Sequence, residues 1–411
     1  MEFLRFVLRG LTSVFLGYIF GSFLPGYFLP LWIKGVDIRR LGDGNPGVLN
    51  VKKTLGNFLA FWTAFYDVLK GFIPMGIVYF LLNFPLGFAY LSGFSAVLGH
   101  KYPFYLAFKG GRGFATSISL FLFIFTKVLI QNFNLFQILA LFLYIGIYGF
   151  LLNIATHNKG DVFTMSMFPI IGVFISLNIN NIVDIAFILA LVFVITYEAV
   201  KNLIRDGFKF YIEKHIFWRI IMRPFALLFI PLYLILSKMI VLFIIGFVLL
   251  LFFVLDLLRI LISKVESFLQ LEIIKNIRIF KEKERGRVSS ITNFLLGIFI
   301  SFALFEKNVV FASLGFVSLG DMMSKWVGIN FGSRKIFKNS EKTLEGSLAF
   351  LSTSLTVAFF LWFKGLMPFH IVFLGALVAS IIEAVPNPID DNFSVPVISG
   401  AVMEVLKKIL Y

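Results

Sequence analysis

Cysteine is absent from the chain, which excludes disulfides, zinc–thiolate centres and a cysteine acyl-enzyme. Charge is scarce as well: Asp, Glu, Lys and Arg make up 14% of the 411 residues, against about 25% in a soluble globular domain. With 59% hydrophobic residues and a mean hydropathy of +0.93, the composition excludes a soluble globule and points to an all-α polytopic membrane protein. Apolar runs of bilayer length recur from end to end. The first follows Arg5 and Arg9 without a small-residue cleavage site, so a retained helix is expected rather than a signal peptide. Acid is the scarcer sign of charge. Against 37 Lys and Arg there are 22 Asp and Glu, a net charge of +15 that suits anionic lipid and phosphate partners better than nucleic acid.

Hydropathy predicts helices at 10–30, 57–82, 88–108, 113–130, 135–153, 162–178 and 184–200. The loops between them alternate in charge: 83–87, 131–134 and 178–183 lack Lys and Arg, whereas Lys34, Arg39, Arg40, Lys52, Lys53, Lys101, Lys109 and Arg112 fill the others. The positive-inside rule places the basic loops, and every motif of the first half, on the cytoplasmic side of a cell inner membrane. The basic and aromatic stretch 208–223 suits an interfacial linker. It divides a seven-helix domain, 1–207, from a second multi-helix domain, 224–411, with apolar runs at 224–237, 239–257, 290–305, 309–320, 346–363, 367–385 and 394–406 and a charged stretch at 259–289. No motif of the first half repeats in the second, so two different units are fused rather than one duplicated.

Three polar clusters interrupt the first half. Gly21-Ser22-Phe23-Leu24-Pro25-Gly26-Tyr27 breaks the first span, and a glycine-rich loop, Asp37 to Val51, follows it. The third runs from Gly99 to Thr116, where Gly110, Gly111 and Gly113 interleave with Lys109 and Arg112 just before a helical run. Backbone amides, a helix N-terminus and two cations can there converge on one anion. The spacing is neither Gly-x4-Gly-Lys-Ser/Thr nor Gly-x-Gly-x-x-Gly, so a nucleotide is not the first expectation; a plain basic loop is the simpler alternative. Asp67 and Lys70 fall on one helix face, where an ion pair that seats the helix and a functional intramembrane charge are both open.

Taken in order and at this spacing, these clusters resemble the bacterial acyl-phosphate-dependent glycerol-3-phosphate acyltransferases. The shared motifs are Gly-Ser-x-x-x-Gly-Tyr, Gly-x-Gly-Asn-x-Gly-x-x-Asn-Val, Asp-x-x-Lys-Gly, and Gly-His-x-x-Pro-x-x-x-x-Phe-Lys-Gly-Gly-Lys/Arg-Gly-x-Ala-Thr, over about residues 10–207. The resemblance implies a seven-helix enzyme that moves an acyl group from acyl phosphate to sn-glycerol 3-phosphate, giving lysophosphatidate without metal or nucleotide. Carried over residue by residue, it implies catalytic roles for Asp43, Asn45, Asn50, Lys53, His100 and Arg112. Ser22, Gly44, Gly47, Asp67, Lys70, Lys109, Gly110, Gly111, Gly113, Thr116 and Asn202 become substrate or phosphate contacts. Two phosphorylated substrates require a site that offsets the repulsion of two anions, which Lys53, Lys109 and Arg112 suit. His-x4-Asp and Gly-x-Ser-x-Gly are both missing, so direct transfer is expected rather than a serine acyl-enzyme. The chain departs from the family at Asp43, where Ser is usual, at Lys53 for Arg, at Arg112 for the commoner Lys, and at Ala199 for His.

The second half gathers its polar residues in three groups: Lys283 to Ser289, with Arg285 and Arg287; Ser318-Leu319-Gly320-Asp321 with Lys325, leading to Lys342-Thr343-Leu344-Glu345-Gly346-Ser347; and Glu383 to Pro396, with Asp390, Asp391 and Asn392. Asp321 is expected at a helix break. Carboxylates among Lys and Arg suit a Mg²⁺-bound nucleotide phosphate, although solvated loop charges would look the same. Over about 220–405 these groups resemble the CTP-dependent dolichol, phytol and diacylglycerol kinases. That implies Mg²⁺ with CTP as cofactors, a lipid alcohol as acceptor, catalytic Asp321 and Asp391, metal ligands Asp321, Asp390 and Asp391, and binding roles for Arg285, Arg287, Lys325, Lys342, Glu345 and Asn392. A phosphatidate cytidylyltransferase-like second half, or a lipid transporter or flippase, are the alternatives. Most charges lie in loops rather than at mid-membrane, which speaks against transport.

Overall fold

The computed structural model describes residues 1–207, 223–261, 287–338, 340–386 and 389–411. Among these the chain is helical, with a single isolated β-bridge between Lys335 and Thr343 and no strand. Among the described residues seven helices are long and apolar enough to cross a membrane, and the chain is an integral multi-pass membrane protein. It forms two compact units, Met1–Ile138 with Thr164–Phe208, and Leu139–Phe163 with Lys209–Tyr411. The segment Leu139–Phe163, placed by sequence in the first domain, groups with the second unit. The linker expected at 208–223 and most of the charged stretch 259–289 lie outside the described residues.

In the first unit, α1 (Glu2–Ser22) lies against a helix that follows three others in the chain: α2 (Pro25–Lys34), α3 (Val48–Leu55) and α4 (Asn57–Leu69), the last of which continues as α5 (Phe72–Gly76) and a π-turn. That partner is α6 (Leu86–Lys101). Their contact is made by backbone on backbone. A Cβ on Gly17 would stand 2.0 Å from the Ser92 carbonyl oxygen, one on Gly21 2.0 Å from that of Ala96, and one on Gly99 2.3 Å from that of Tyr18. In lipid, where apolar burial does not drive helices together, such close small-residue packing is what remains. The break after α1 follows from Pro25, which fits the first turn of a new helix; Gly35, left-handed, ends it.

The span expected at 88–108 stops at Lys101, because Pro103 disfavours helix at the preceding residue. Residues 102–113 are thereby freed as a loop ahead of α7 (Phe114–Asn132). The order then runs through α8 (Leu135–Ala155), α9 (Gly160–Ser176) and α10 (Ile182–Arg205), whose N-cap Asn181 accepts the Val183 N–H at 2.9 Å. Near that cap Asp184 accepts from Tyr90 at 2.7 Å and from Lys127 at 3.0 Å, so one buried carboxylate joins α6, α7 and α10.

The second unit packs α11 (Phe229–Ile235), α12 (Lys238–Leu261), α13 (Ser290–Leu304), α14 (Lys307–Gly315), α15 (Asp321–Phe331), α16 (Leu344–Phe363), α17 (Phe369–Ala384) and α18 (Asp391–Leu410) around Phe302, Phe316, Phe350 and Met403, all fully buried. Asp256, 1% exposed, accepts the Ser289 N–H at 2.8 Å and the Thr292 hydroxyl at 2.7 Å and pairs with Arg259 at 3.1 Å, which joins α12 to the start of α13. The helix break expected before Asp321 does not occur. Phe316–Gly320 forms a π-turn that carries α14 into α15 without interruption, since Gly320 lets the Phe350 ring lie against the backbone, with a built Cβ only 2.8 Å from it.

Replacing Gly21 by Ala is expected to push α1 off α6 and cost about 1–3 kcal/mol, read as a lowered Tm in detergent. Gly76→Ala, with no neighbour within 4 Å of its built Cβ, serves as the contrast and is expected to be neutral or stabilising.

Candidate functional site

Beneath the site of the first unit lies a buried charge network. Asp67 at the end of α4, Lys70 just after it and His100 in the last turn of α6 are 2%, 0% and 3% exposed. Lys70 donates to Asp67 at 2.8 Å and contacts Nδ1 of His100, which lies 3.5 Å from the Asp67 carboxylate. An unpaired charge in this setting would be costly, so the three groups hold one another in place. Thr116 of α7 adds a hydroxyl bond to the Asp67 carbonyl at 2.7 Å. Thr116, expected as a substrate contact, thus fastens α7 to α4.

Over this network lies the 102–113 loop. Gly110 and Gly111 donate their N–H groups to the carbonyls of Lys101 and His100, both at 3.0 Å. These two amides, expected to cradle a phosphate, are therefore engaged in closing the loop. Gly111 is needed for another reason: a Cβ there would meet Nε2 of His100 at 2.1 Å. The Tyr105 hydroxyl donates to the Ser22 carbonyl at 2.5 Å and that of Tyr18 to the Tyr102 carbonyl at 2.6 Å, which ties the loop to the end of α1. The Ser22 hydroxyl is buried and has no hydrogen-bond partner among the described residues. Gly113, left-handed at φ +74, caps α7, whose first intrahelical bond runs from the Ser117 N–H to the Gly113 carbonyl at 2.9 Å. The amides of the first turn are left to face an anion.

The glycine-rich loop is held from inside by Asn50. Its amide donates to the carbonyls of Leu41 at 2.9 Å and Asn45 at 3.1 Å, and its oxygen accepts the Asp43 N–H at 3.2 Å. At 3% exposure Asn50, expected as a catalytic residue, spends its amide on shaping the loop. Below it Ile38, Val51, Leu59 and Ala60 form a small apolar core. Gly42 and Gly44 adopt φ +58 and +70, which carry Asp43 outward, and Gly47 lies over the Asn45 amide. Asp43 accepts from Arg112 at 2.8 Å, and Arg205 lies 4.0 Å away. Burial works to raise the Asp43 pKa, but the bonds from Arg112 and the Asn45 N–H and the charges of Arg112 and Lys53 prevail and hold it below the usual carboxylate value. Lys53 and Lys109 are exposed, and Asn202 stands one turn before Arg205 on α10. Sequence reasoning overlooked Glu198, buried on α10 and paired with Lys101 at 2.7 Å. A carboxylate within an apolar run was the available signal.

In the second unit the hub is Glu383 of α17. It accepts from Ser324 and Ser347, each at 2.9 Å, while Lys342 contacts its carbonyl and pairs with Asp391 at 3.1 Å. The second and third sequence groups meet there. Asp321 pairs with Lys325 at 2.9 Å, and Glu345 accepts from Ser333 at 2.7 Å. Asp390 accepts the Asn392 N–H at 2.9 Å as the cap of α18, which explains it without a ligand. Among the described residues no three His, Asp or Glu side chains gather in one place. Arg287 is exposed and lends its carbonyl to Arg259 at 2.5 Å, and Arg285 lies outside the described residues.

The geometry of the first unit coincides with a relationship detectable in sequence. Residues 11–206 match the glycerol-3-phosphate acyltransferase family. The chain is 39% identical over 113 residues to the glycerol-3-phosphate acyltransferase of Thermosipho melanesiensis, an alignment covering 28% of this chain and 54% of that one. It is 36% identical over 135 residues to that of Synechococcus elongatus, covering 31% and 64%. These alignments span about half to two-thirds of the relatives' lengths. A crystal structure of PlsY, an integral membrane glycerol 3-phosphate acyltransferase, in its glycerol 3-phosphate form, is 28% identical, with 48% of this chain and 90% of that one covered at a TM-score of 0.36.

Asn50→Ala is expected to free the loop. Its loss removes three backbone bonds, which should cost about 1–3 kcal/mol. Hydrogen exchange should report it as lost protection confined to the amides of residues 41–51.

Proposed function

We propose that the first unit transfers an acyl group from acyl phosphate to sn-glycerol 3-phosphate. The observation that supports this reading is the meeting of Arg112, Arg205, Lys53 and the start of α7 at the loop that carries the family's motifs, above a buried network that fixes their backbone. Both substrates are phosphorylated, and cations on separate helices suit two anions held side by side. The glycerol hydroxyl oxygen attacks the acyl carbon, the bond from that carbon to the bridging phosphate oxygen breaks, and inorganic phosphate leaves with that oxygen and the hydroxyl proton. No serine or cysteine intermediate and no metal enters this scheme. The site opens to the cytoplasm in this reading, as the basic loops require.

For the second unit we infer phosphoryl transfer from CTP to a lipid alcohol, a reading favoured by the convergence of Lys342 with Glu383 and Asp391 from two motif-bearing stretches. Lys342 supplies charge for a phosphate. The carboxylates are engaged with lysines and hydroxyls, so no step is derived through Mg²⁺.

Arg112→Ala is expected to lower acyl transfer, assayed with palmitoyl phosphate and glycerol 3-phosphate, by about a hundred-fold or more, while leaving CTP-dependent phosphorylation unchanged. Lys342→Ala should do the reverse. Formation of a CDP-lipid from phosphatidate, with no phosphorylated alcohol from diacylglycerol, polyprenol or phytol, would replace the kinase reading by a cytidylyltransferase.

A further inference from the structure

At one position the glycine-rich loop carries an anion where the motif it resembles has a hydroxyl, and that anion sits in the setting expected of a ligand. One oxygen of Asp43 accepts from Arg112 at 2.8 Å and lies 4.0 Å from Arg205, and the other accepts the Asn45 N–H at 3.1 Å. Lys53 adds to the positive field. The two carboxylate oxygens thus take a guanidinium and a backbone amide, the donors that two oxygens of a phosphate would take. Unlike Asp67, this carboxylate is 45% exposed. It rides on a loop tip whose backbone is fixed, its own N–H being held by the Asn50 oxygen at 3.2 Å, so the carboxylate leaves by side-chain rotation with the Asn50 straps in place.

We propose that Asp43 is a built-in stand-in for a substrate phosphate: it occupies the Arg112–Arg205 anion site in the ligand-free protein and must be displaced before a phosphate can enter. The inference rests on the acyl transfer reading for the identity of its substrates. Displacement lowers apparent affinity by the fraction of molecules whose site is open, while the chemical step, which follows displacement, is unaffected. Asp43 therefore sets the substrate concentration at which the enzyme works. It also keeps the arginines from repelling one another in the empty site.

The full-length protein in detergent tests this with Asp43→Asn, which keeps the acceptor for the Asn45 N–H but removes the charge, and with Asp43→Ser. An exposed ion pair of this kind is expected to shift the apparent KM of the displacing substrate down about three- to five-fold. KM is measured separately for glycerol 3-phosphate and for palmitoyl phosphate, and the one that falls identifies whose phosphate takes the place of Asp43. Binding of inorganic phosphate and of glycerol 3-phosphate, followed calorimetrically without turnover, should tighten by a similar factor. If wild type shows no acyl transfer, the binding arm still decides: tighter phosphate binding in the variants sustains the displacement while the proposed reaction falls. Unchanged or weaker binding, or a raised KM, in either variant with wild-type Tm would overturn the proposal and make Asp43 a residue that merely positions Arg112.

Discussion

The first unit depends on the mutual neutralisation of Asp67, Lys70 and His100. None of these side chains reaches solvent, so each is tolerated only because the others compensate it. That requirement fixes the end of α4 against the end of α6. Through the Thr116 bond to the Asp67 carbonyl it fixes α7, and through the Gly111 bond to the His100 carbonyl it fixes the loop that carries Arg112. Of the two alternatives the sequence left open, the geometry shows the ion pair that seats the helix, and its ties to Thr116 and Gly111 hold the backbone on which Arg112 stands.

Glycine makes this arrangement possible in two distinct ways. Gly17, Gly21 and Gly99 bring α1 and α6 to backbone contact, which sets where the break at Ser22–Pro25 falls relative to the 102–113 loop. Gly111 admits the His100 ring, whereas Gly42 and Gly44 supply backbone conformations that L side chains rarely adopt. The anion chemistry falls to side chains and to the first turn of α7, since Gly110 and Gly111 donate their amides within the loop. The second unit follows the same rule on burial. Glu383 is tolerated because two serine hydroxyls and Lys342 surround it.

Much of the fold was legible because the membrane imposes a simple code. An apolar run of bilayer length must be helical, and the predicted spans of the first half agree with the observed helices within about five residues except at 10–30, where α1 begins at Glu2 and breaks at Ser22 before α2, and where Pro103 ends α6 early. The break after Ser22 was legible from Gly and Pro. The continuity through Gly320 was not, since a glycine after a serine reads as punctuation when the Phe350 ring packed on it is out of view. Glu198 escaped because its partner, Lys101, is 97 residues away.

By itself the sequence determined the membrane-spanning class, the positions of most helices and the set of residues from which an anion site is made, because hydropathy and motif spacing are local properties. Tertiary structure decided which of those residues do what. It turned Asn50 and Thr116 inward as fastenings and engaged two glycine amides within their own loop. It also placed Asp43 on Arg112 across 69 positions of chain and made Asp390 a helix cap. The physical reason is common to all of these. A polar group's role follows from which partner reaches it first in a low-dielectric interior, and that partner is chosen by packing between helices remote in sequence.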